Sequence, residues 1–386
     1  MTRRAGLARI AAIAAVLVTS AAPLAAQRAV RRPELAQGAD TNDWEAYYDD
    51  AVDLLQTRRP AEAEAAFYWA ARLEPRRAEP LFGQVVAYFT RDPRRLLDYI
   101  GETPHAEDVP GVRRADSLVH EAVLRNPMVF QGLIAIAYDQ FPGDWADNPV
   151  TIGWRDYAGL DFSGATRSWD KALRQEPRKR EWLHFDRALA FVGLHAYDSA
   201  RAELTSLVAT LRARQEKHLL HIWESTAFLE YAIGRLQAAV GNRSGAIESL
   251  QQALVEDLGF YQAHITLAEL AIDRGDVAGA TREYAQAIEL WPNDCRTRFE
   301  YGVALSRGAA LPEAETQLRE AIRLEPQFAD SYYELGQVLQ HRGDSKGALD
   351  TFKTYVARAP RSSPNLTTAR QLVEQLTQVV RADTTR

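Results

Sequence analysis

No disulfide can form within this chain, because Cys295 is its only cysteine. Whatever the compartment, stability has to come from packing. A lone cysteine in a helical setting is expected to be a small core or interface residue. Basic charge is also short. The 46 Lys and Arg stand against 52 Asp and Glu, for a net charge of −6, which excludes nucleic acid as the main partner, since phosphate binding needs a basic surface. Beyond the first 27 residues no apolar run is long enough to span a bilayer, so no transmembrane span is expected in the mature chain. There is no Walker-type phosphate loop, no Gly-x-Gly-x-x-Gly after a strand and no Gly-x-Ser-x-Gly elbow. The eight His residues are scattered. No cofactor, metal or catalytic residue is expected from these patterns.

What the chain does contain begins with a leader. Arg3, Arg4 and Arg9 precede an apolar run from Ile10 to Val18, followed by small residues up to Ala26. A basic head, a short apolar stretch and a small-residue tail are the parts of a secretory signal peptide. Residues 1–26 are therefore expected to be removed, giving an exported chain in the periplasm or outside the cell. The competing reading is an uncleaved anchor. It is disfavoured by Pro23 and by an uncharged stretch short of the roughly 20 apolar residues a span requires. Residues 27–43 are expected to form a flexible mature N-terminus.

The dominant signal is a repeat. Pro292, Pro326 and Pro360 recur with a 34-residue period; so do Ala246, Ala280, Ala314 and Ala348, and the small residues Gly234, Ala268, Gly302 and Gly336. Each unit reads as two amphipathic helices. In residues 261–294, Ile265, Leu267, Ala268 and Ala271 give one apolar face and Ala280, Tyr284, Ala287 and Ile288 a second, at three- and four-residue spacing. Gly275 supplies the turn between them, and Pro292 ends the unit because it cannot donate to the helical ladder. The small residues let two short antiparallel helices approach closely.

These units resemble tetratricopeptide repeats: a small residue in the first helix, a Gly-Asp-like turn, alanines in the second helix and a terminal proline. Residues 227–260, 261–294, 295–328 and 329–362 fit in succession as four tandem repeats (227–362). An early unit, 44–77, fits through Tyr47, Ala51, Leu54, Ala63, Phe67, Ala70 and Pro75 but departs at Asp50. Residues 227–260 depart at Gln237 and Leu258, and the last unit carries Tyr355 where alanine is usual. Residues 363–386 read as a capping helix and tail, with Leu366, Ala369, Val373, Leu376 and Val380 on one stripe. The resemblance implies an all-α helical-hairpin solenoid, a right-handed superhelix with a C-terminal capping helix. It also implies a concave groove lined by first helices that binds a protein or peptide. Carried onto the matching units, that groove would present Tyr231 and Arg235; Gln262, Glu269 and Asp273; Arg296, Phe299 and Arg307; and Tyr333, Gln337 and His341, all expected to be exposed. Its mixed charge lacks the repeated basic set with which some family members clamp a C-terminal carboxylate.

Residues 78–226 are expected to be worn helical repeats with insertions. Ala115, Val119, Ala122 and Pro127; Ala165, Trp169, Ala172 and Pro177; and Ala200, Leu204 and Leu207 keep fragments of the second-helix pattern. Gly101–Gly111 and Phe141–Gly164 read as loops. Trp145, Trp154, Trp169, Trp182 and Trp223 are expected to fill an uneven core. His218, His221 and Glu224 share a helical face and could in principle hold zinc, and Asp144–Asn148 could offer oxygens to calcium. A solvated helix face and an ordinary acidic loop are the preferred readings. The leading functional expectation is a binding scaffold rather than an enzyme. Its rivals are a metal-dependent hydrolase with a site in the irregular middle and a self-assembling homo-oligomer stacking through its N-terminal face.

Overall fold

A computed structural model describes residues 30–92, 110–126, 148–175, 182–214 and 225–384. The chain divides into two units, Met1–Glu34 and Leu35–Arg386. The leader expected at 1–26 falls outside the described residues, and every helix named below belongs to the second unit.

Seventeen helices run through the described residues, with no strand among them. They are α1 (Trp44–Gln56), α2 (Pro60–Leu73), α3 (Glu79–Arg91), α4 (Pro110–Arg125), α5 (Pro149–Ala158), α6 (Phe162–Gln175), α7 (Leu183–Gly193), α8 (Tyr197–Arg214) and α9 (Thr226–Ala239). After these come α10 (Arg243–Glu256), α11 (Tyr261–Asp273), α12 (Val277–Leu290), α13 (Cys295–Arg307), α14 (Leu311–Leu324), α15 (Asp330–His341), α16 (Ser345–Arg358) and α17 (Leu366–Thr384). Apart from α4 and α5, consecutive helices pack on one another, and hairpin partners such as α9 with α10 and α13 with α14 pack most extensively. The fold is an all-α solenoid of helical hairpins. No helix among the described residues is long and apolar enough to cross a membrane.

The hairpin crossings follow from the small residues. A Cβ placed on Gly302 would come within 2.7 Å of Leu318 Cγ, and one on Gly336 within 2.7 Å of Phe352 Cε1. Each glycine therefore makes room for the large side chain of the opposing second helix. The turns are left-handed in every complete hairpin. Gly241, Gly275 and Gly343 fill that position in three, with φ from 74° to 83°, and Arg58, Leu160, His195 and Ala309 fill it in the others, with φ from 57° to 63°. The following aspartate or asparagine often caps the second helix: Asp276 accepts from Gly279 N, Asp344 from Gly347 N and Asn242 from Gly245 N. Such a side chain satisfies a backbone donor that the first turn leaves open.

The middle is more regular than its sequence suggests. Within the stretch 141–164, whose sequence reads as a loop, residues 149–158 form α5 and pair with α6. The misleading residues are Pro149 and Gly153. Proline is tolerated at the first helical position, where no donor is needed, and Asn148 caps the helix by accepting from Val150 N at 3.0 Å. Gly153 is the crossing residue of this hairpin: a Cβ there would collide with the ring of Trp169. Residues 101–109 lie outside the described set, and Pro110 and Gly111 already belong to α4. Trp169 is fully buried and donates through Nε1 to Val150 O at 3.1 Å. Trp154 and Trp182 pack ring against ring at 5.7 Å, half-buried. Trp145 and Trp223 lie outside the described residues. Cys295 is buried in the C-terminal core, and burial pushes its thiol well above the ordinary range.

At the C-terminus, Leu366, Ala369 and Leu376 of α17 are buried against α16, with Val373 and Val380 partly covered. Tyr355 is fully buried beneath this helix, with its hydroxyl 2.6 Å from Ser363 Oγ.

Candidate binding site on the first-helix face

The first helices of the C-terminal hairpins, α9, α11, α13 and α15, present one face to the same side. A polar ladder crosses three of them. Arg235 on α9 lies 3.9 Å from Glu269 on α11, and Glu269 accepts from Arg296 Nη2 of α13 at 2.8 Å. Arg235 Nη1 also reaches the Tyr231 hydroxyl at 3.5 Å. Arg296 is only 7% exposed. A guanidinium so deeply covered needs a counter-charge, and Glu269 and Asp294 hold it protonated against the burial that opposes its charge.

What covers this face is the chain itself. The Tyr231 hydroxyl donates to Leu124 O at the end of α4, at 2.6 Å. Next to it, Arg125 donates through Nη1 to Pro75 O at 2.5 Å and lies 3.8 Å from Asp294. The contact continues along the turn after α2. Arg72 makes a forked pair with Glu325, and Arg76 Nη2 donates to Asp330 Oδ2 at 2.8 Å and to Glu74 Oε2 at 2.6 Å. Further on, Asn42 Nδ2 donates to Ala357 O at 3.1 Å and Arg361 N donates to Asp40 Oδ2 at 2.5 Å. Asp40 and Asn42, expected in a flexible mature N-terminus, are thus tied to the last hairpin. The two ends of the array meet. One apolar cluster joins α3 and α4 to α9, α10 and α11, Leu124 and Tyr231 among its members, whereas the clusters of α1 and α2 stay separate from that of the last hairpins, α13 to α17. Between residues 40–76 and the last hairpins, the ties named are charged and polar.

Beside the seam the face leaves a hollow of about 210 Å³, lined by Phe299, Glu300, Val303 and Arg307 of α13, by Asp330, Tyr333 and Glu334 of α15, by Asn365 and by Arg76. The Arg76 guanidinium forms one wall of it and lies over two rings, 5.1 Å from Phe328 and 5.7 Å from Phe299. Aromatic faces attract such a cation. Burial raises the carboxyl pKa of Glu300, Asp330 and Glu334, with Arg76 pulling the first two back down. For Arg76 itself, burial disfavours the charge, but Glu74, Asp330 and Glu300 more than offset it. Among the described residues, neither Glu300 nor Glu334 makes a hydrogen bond or an ion pair at contact distance.

The structure corrects the exposure expected of the groove residues. Tyr231, Gln262, Arg296, Phe299 and Tyr333 are buried, because α4 and the 74–77 turn lie over the face or because neighbouring hairpins enclose them. Arg235, Glu269 and Gln337 are half-buried, and Asp273, Arg307 and His341 are exposed. Tyr231, Arg235, Glu269 and Arg296 come together in the ladder; Phe299, Arg307 and Tyr333 come together in the hollow. Asp273 and His341 sit in the last turns of α11 and α15. The sequence reading missed Glu300, Val303, Asp330 and Glu334. The first and last hold the same register in consecutive units, next to Phe299 and Tyr333, so the face was legible one residue further round the helix. Arg72 and Arg76 carried no such signal, because their partners are distant in the chain. Among the described residues there is no group of three or more His, Cys, Asp or Glu able to hold a metal. His218, His221, Glu224 and Asp144 to Asp147 lie outside them.

Comparison with known proteins bears on the repeats. Residues 231–294 and 302–363 match the family model described as tetratricopeptide repeat. Over 106 residues the chain is 27% identical to Hsp70-Hsp90 organizing protein 3 of Arabidopsis thaliana, a match that covers 28% of this chain and 19% of that protein. The chain thus spans about a fifth of that relative's length. Similar solved structures include YrrB, titled a TPR protein with an unusual peptide-binding site, with 17% identity, a TM-score of 0.42 and coverage of 55% of this chain and all of that one. MamA of Desulfovibrio magneticus is 17% identical with a TM-score of 0.39, covering 46% of this chain and 94% of its own. The C-terminal part of a repeat protein from Cytophaga hutchinsonii is 16% identical with a TM-score of 0.45, covering 53% and 77%. The C-terminal array is built of tetratricopeptide repeats, a fold suited to a protein-interaction scaffold.

Proposed function

We propose that this chain is an exported scaffold that binds protein partners on the first-helix face of its C-terminal repeats. The observation that carries the reading is the hollow between α13 and α15. Phe299 and Tyr333, in equivalent positions of consecutive repeats, meet the half-buried carboxylates Glu300 and Glu334 there. Aromatic and charged groups placed together in a preformed depression are the anchors of protein interfaces. The packed hairpins hold them in place before binding, so little ordering entropy is lost on association. Export rests on the pattern of residues 1–26.

Affinity capture from the native compartment with residues 28–386 tests the binding reading, with wild type and Val303→Arg compared. Val303 lines the hollow and is only half-buried, so a long cation there fills the space without emptying the core. Partners lost with Val303→Arg support the assignment, and partners retained equally overturn it. Mass spectrometry of the purified chain tests export: an N-terminus near Gln27 is expected, and an intact Met1 would refute cleavage.

A further inference from the structure

We propose that the hollow and the aromatic wall beside it form a receptor for an arginine side chain, that Arg76 fills the inner, walled part of it from within the chain, and that the partner's bound segment carries an arginine that takes Arg76's place. The inference rests on the proposed groove and adds the chemistry of the partner. A guanidinium is matched on both counts that distinguish it from other cations. Its faces lie over Phe328 and Phe299, and one of its edges is taken by Glu74 and Asp330. Arginine suits this setting better than lysine, because the planar fork stacks on rings while donating in its own plane. The internal occupant leaves the site incompletely used. Glu300 and Glu334 line the hollow half-buried without a contact partner among the described residues. Among the described residues Arg307 is the only other cation lining the space, at the exposed end of α13. Three carboxylates facing two guanidiniums leave a negative balance in a partly desolvated depression, and a cationic segment would relieve it.

The occupant is also releasable. Arg76 enters from a turn between α2 and α3 whose named ties to α14 and α15 are polar, and among the described residues no apolar cluster joins α1 and α2 to those helices. A partner arginine would thus compete with an internal copy, and the affinity observed is lowered by the fraction of chains still self-occupied.

The test uses the mature chain and a blocked peptide of its own residues 68–80, which contains Arg72, Arg76 and Arg77, with Arg72 and Arg77 replaced by alanine so that position 76 carries the only guanidinium. A second copy of the peptide carries citrulline, the uncharged isostere, at position 76. In fluorescence anisotropy at low salt, Arg76→Ala is expected to bind the arginine peptide at least ten-fold more tightly than wild type does. The citrulline peptide should bind at least ten-fold more weakly, and Asp330→Asn/Glu334→Gln should bind neither. Arg76→Gln, which keeps the aliphatic stem and an amide donor but removes the charge, repeats the measurement should Arg76→Ala fail to fold by circular dichroism. Equal binding of the two peptides, or no gain on removing Arg76, overturns the inference. The same peptide is then added to the affinity capture. Partners sensitive to Val303→Arg but indifferent to the peptide would leave the groove reading standing and refute the arginine; partners insensitive to Val303→Arg would refute the groove itself.

Discussion

Arg72 and Glu325 stand 253 positions apart in the chain, yet they form a forked ion pair, Nε to Oε2 at 2.9 Å and Nη2 to Oε1 at 3.0 Å. Their side chains are 28% and 14% exposed, so the pair is neither screened as fully as a surface bridge nor as costly to form as a buried one. Glu325→Gln should loosen the seam at a cost of about 1 kcal/mol. Because ion pairs weaken with salt, raising sodium chloride from 50 mM to 1 M should enlarge the radius of gyration of wild type in solution scattering. Glu325→Gln should already be enlarged at low salt. A radius independent of both would show that the seam is held by something else.

Asp186 predicts a pH dependence. Its carboxyl is buried and accepts from Trp154 Nε1 at 3.1 Å; burial pushes its pKa up to about 7, the tryptophan offsetting part of the rise. The folded-state value lies above the roughly 3.9 of an unfolded aspartate, so the chain takes up a proton on folding between those limits. The contribution of this group is therefore most favourable below about pH 4 and is lost as pH rises to about 7. Asp186→Asn, which keeps an acceptor for Trp154, should stabilise the protein at pH 8 and not at pH 4, measured by urea midpoints. An equal effect at both pH values would mean that Asp186 is not neutral in the fold.

The crossing glycines differ in what they face. At Gly302 an added methyl meets Cγ of the buried but rotatable Leu318, whereas at Gly153 it meets the rigid ring of Trp169, itself bonded to Val150 O. Gly153→Ala should cost about 2–3 kcal/mol and Gly302→Ala about 1 kcal/mol. Thermal melts of the two variants check the order.

Leu160 is a turn residue with φ 63° and a side chain 67% exposed. A left-handed leucine carries a cost of roughly 1–2 kcal/mol that glycine does not, and glycine's extra freedom in the unfolded chain returns part of that. Leu160→Gly should raise stability by about 0.5 kcal/mol, and a loss would show that the leucine packs in a way its exposure conceals.

Tyr231 was expected to face a partner and instead ties α9 to α4. Tyr231→Phe should cost about 1 kcal/mol for the lost hydrogen bond, and Tyr231→Ala about 3–5 kcal/mol for the cavity. Replacing Tyr231, Phe299 and Tyr333 together by alanine would therefore report unfolding rather than partner loss, and circular dichroism of the triple variant would show it.

The local half of this fold was legible because hairpins are local. Ala268 and Ala280, or Gly302 and Ala314, encode a crossing within one unit, and Asp276 and Asp344 encode the caps. Pro149 and Gly153 misled the reading because the residue types that break helices also start them and let them cross. The seam was illegible for a different reason. Arg76 finds Asp330 only after every intervening hairpin has taken its angle, and no spacing in the sequence records the sum of those angles. For the same reason the first helices' outward face was identified while its covering was not.

The hydrogen bonds from Asn42 to Ala357 and from Arg361 to Asp40 give the array a fixed boundary condition. In an open stack of repeats, stability is a sum over neighbours, the ends fray independently and a unit can be added or removed with little effect on the rest. A stack whose first hairpin is bound to its last tolerates only one count. Duplicating residues 261–294 would carry Glu325 and Asp330 away from Arg72 and Arg76 by a whole unit, and each hairpin would remain sound while the circuit failed to close. Length in this protein is quantised by the need for its two ends to meet.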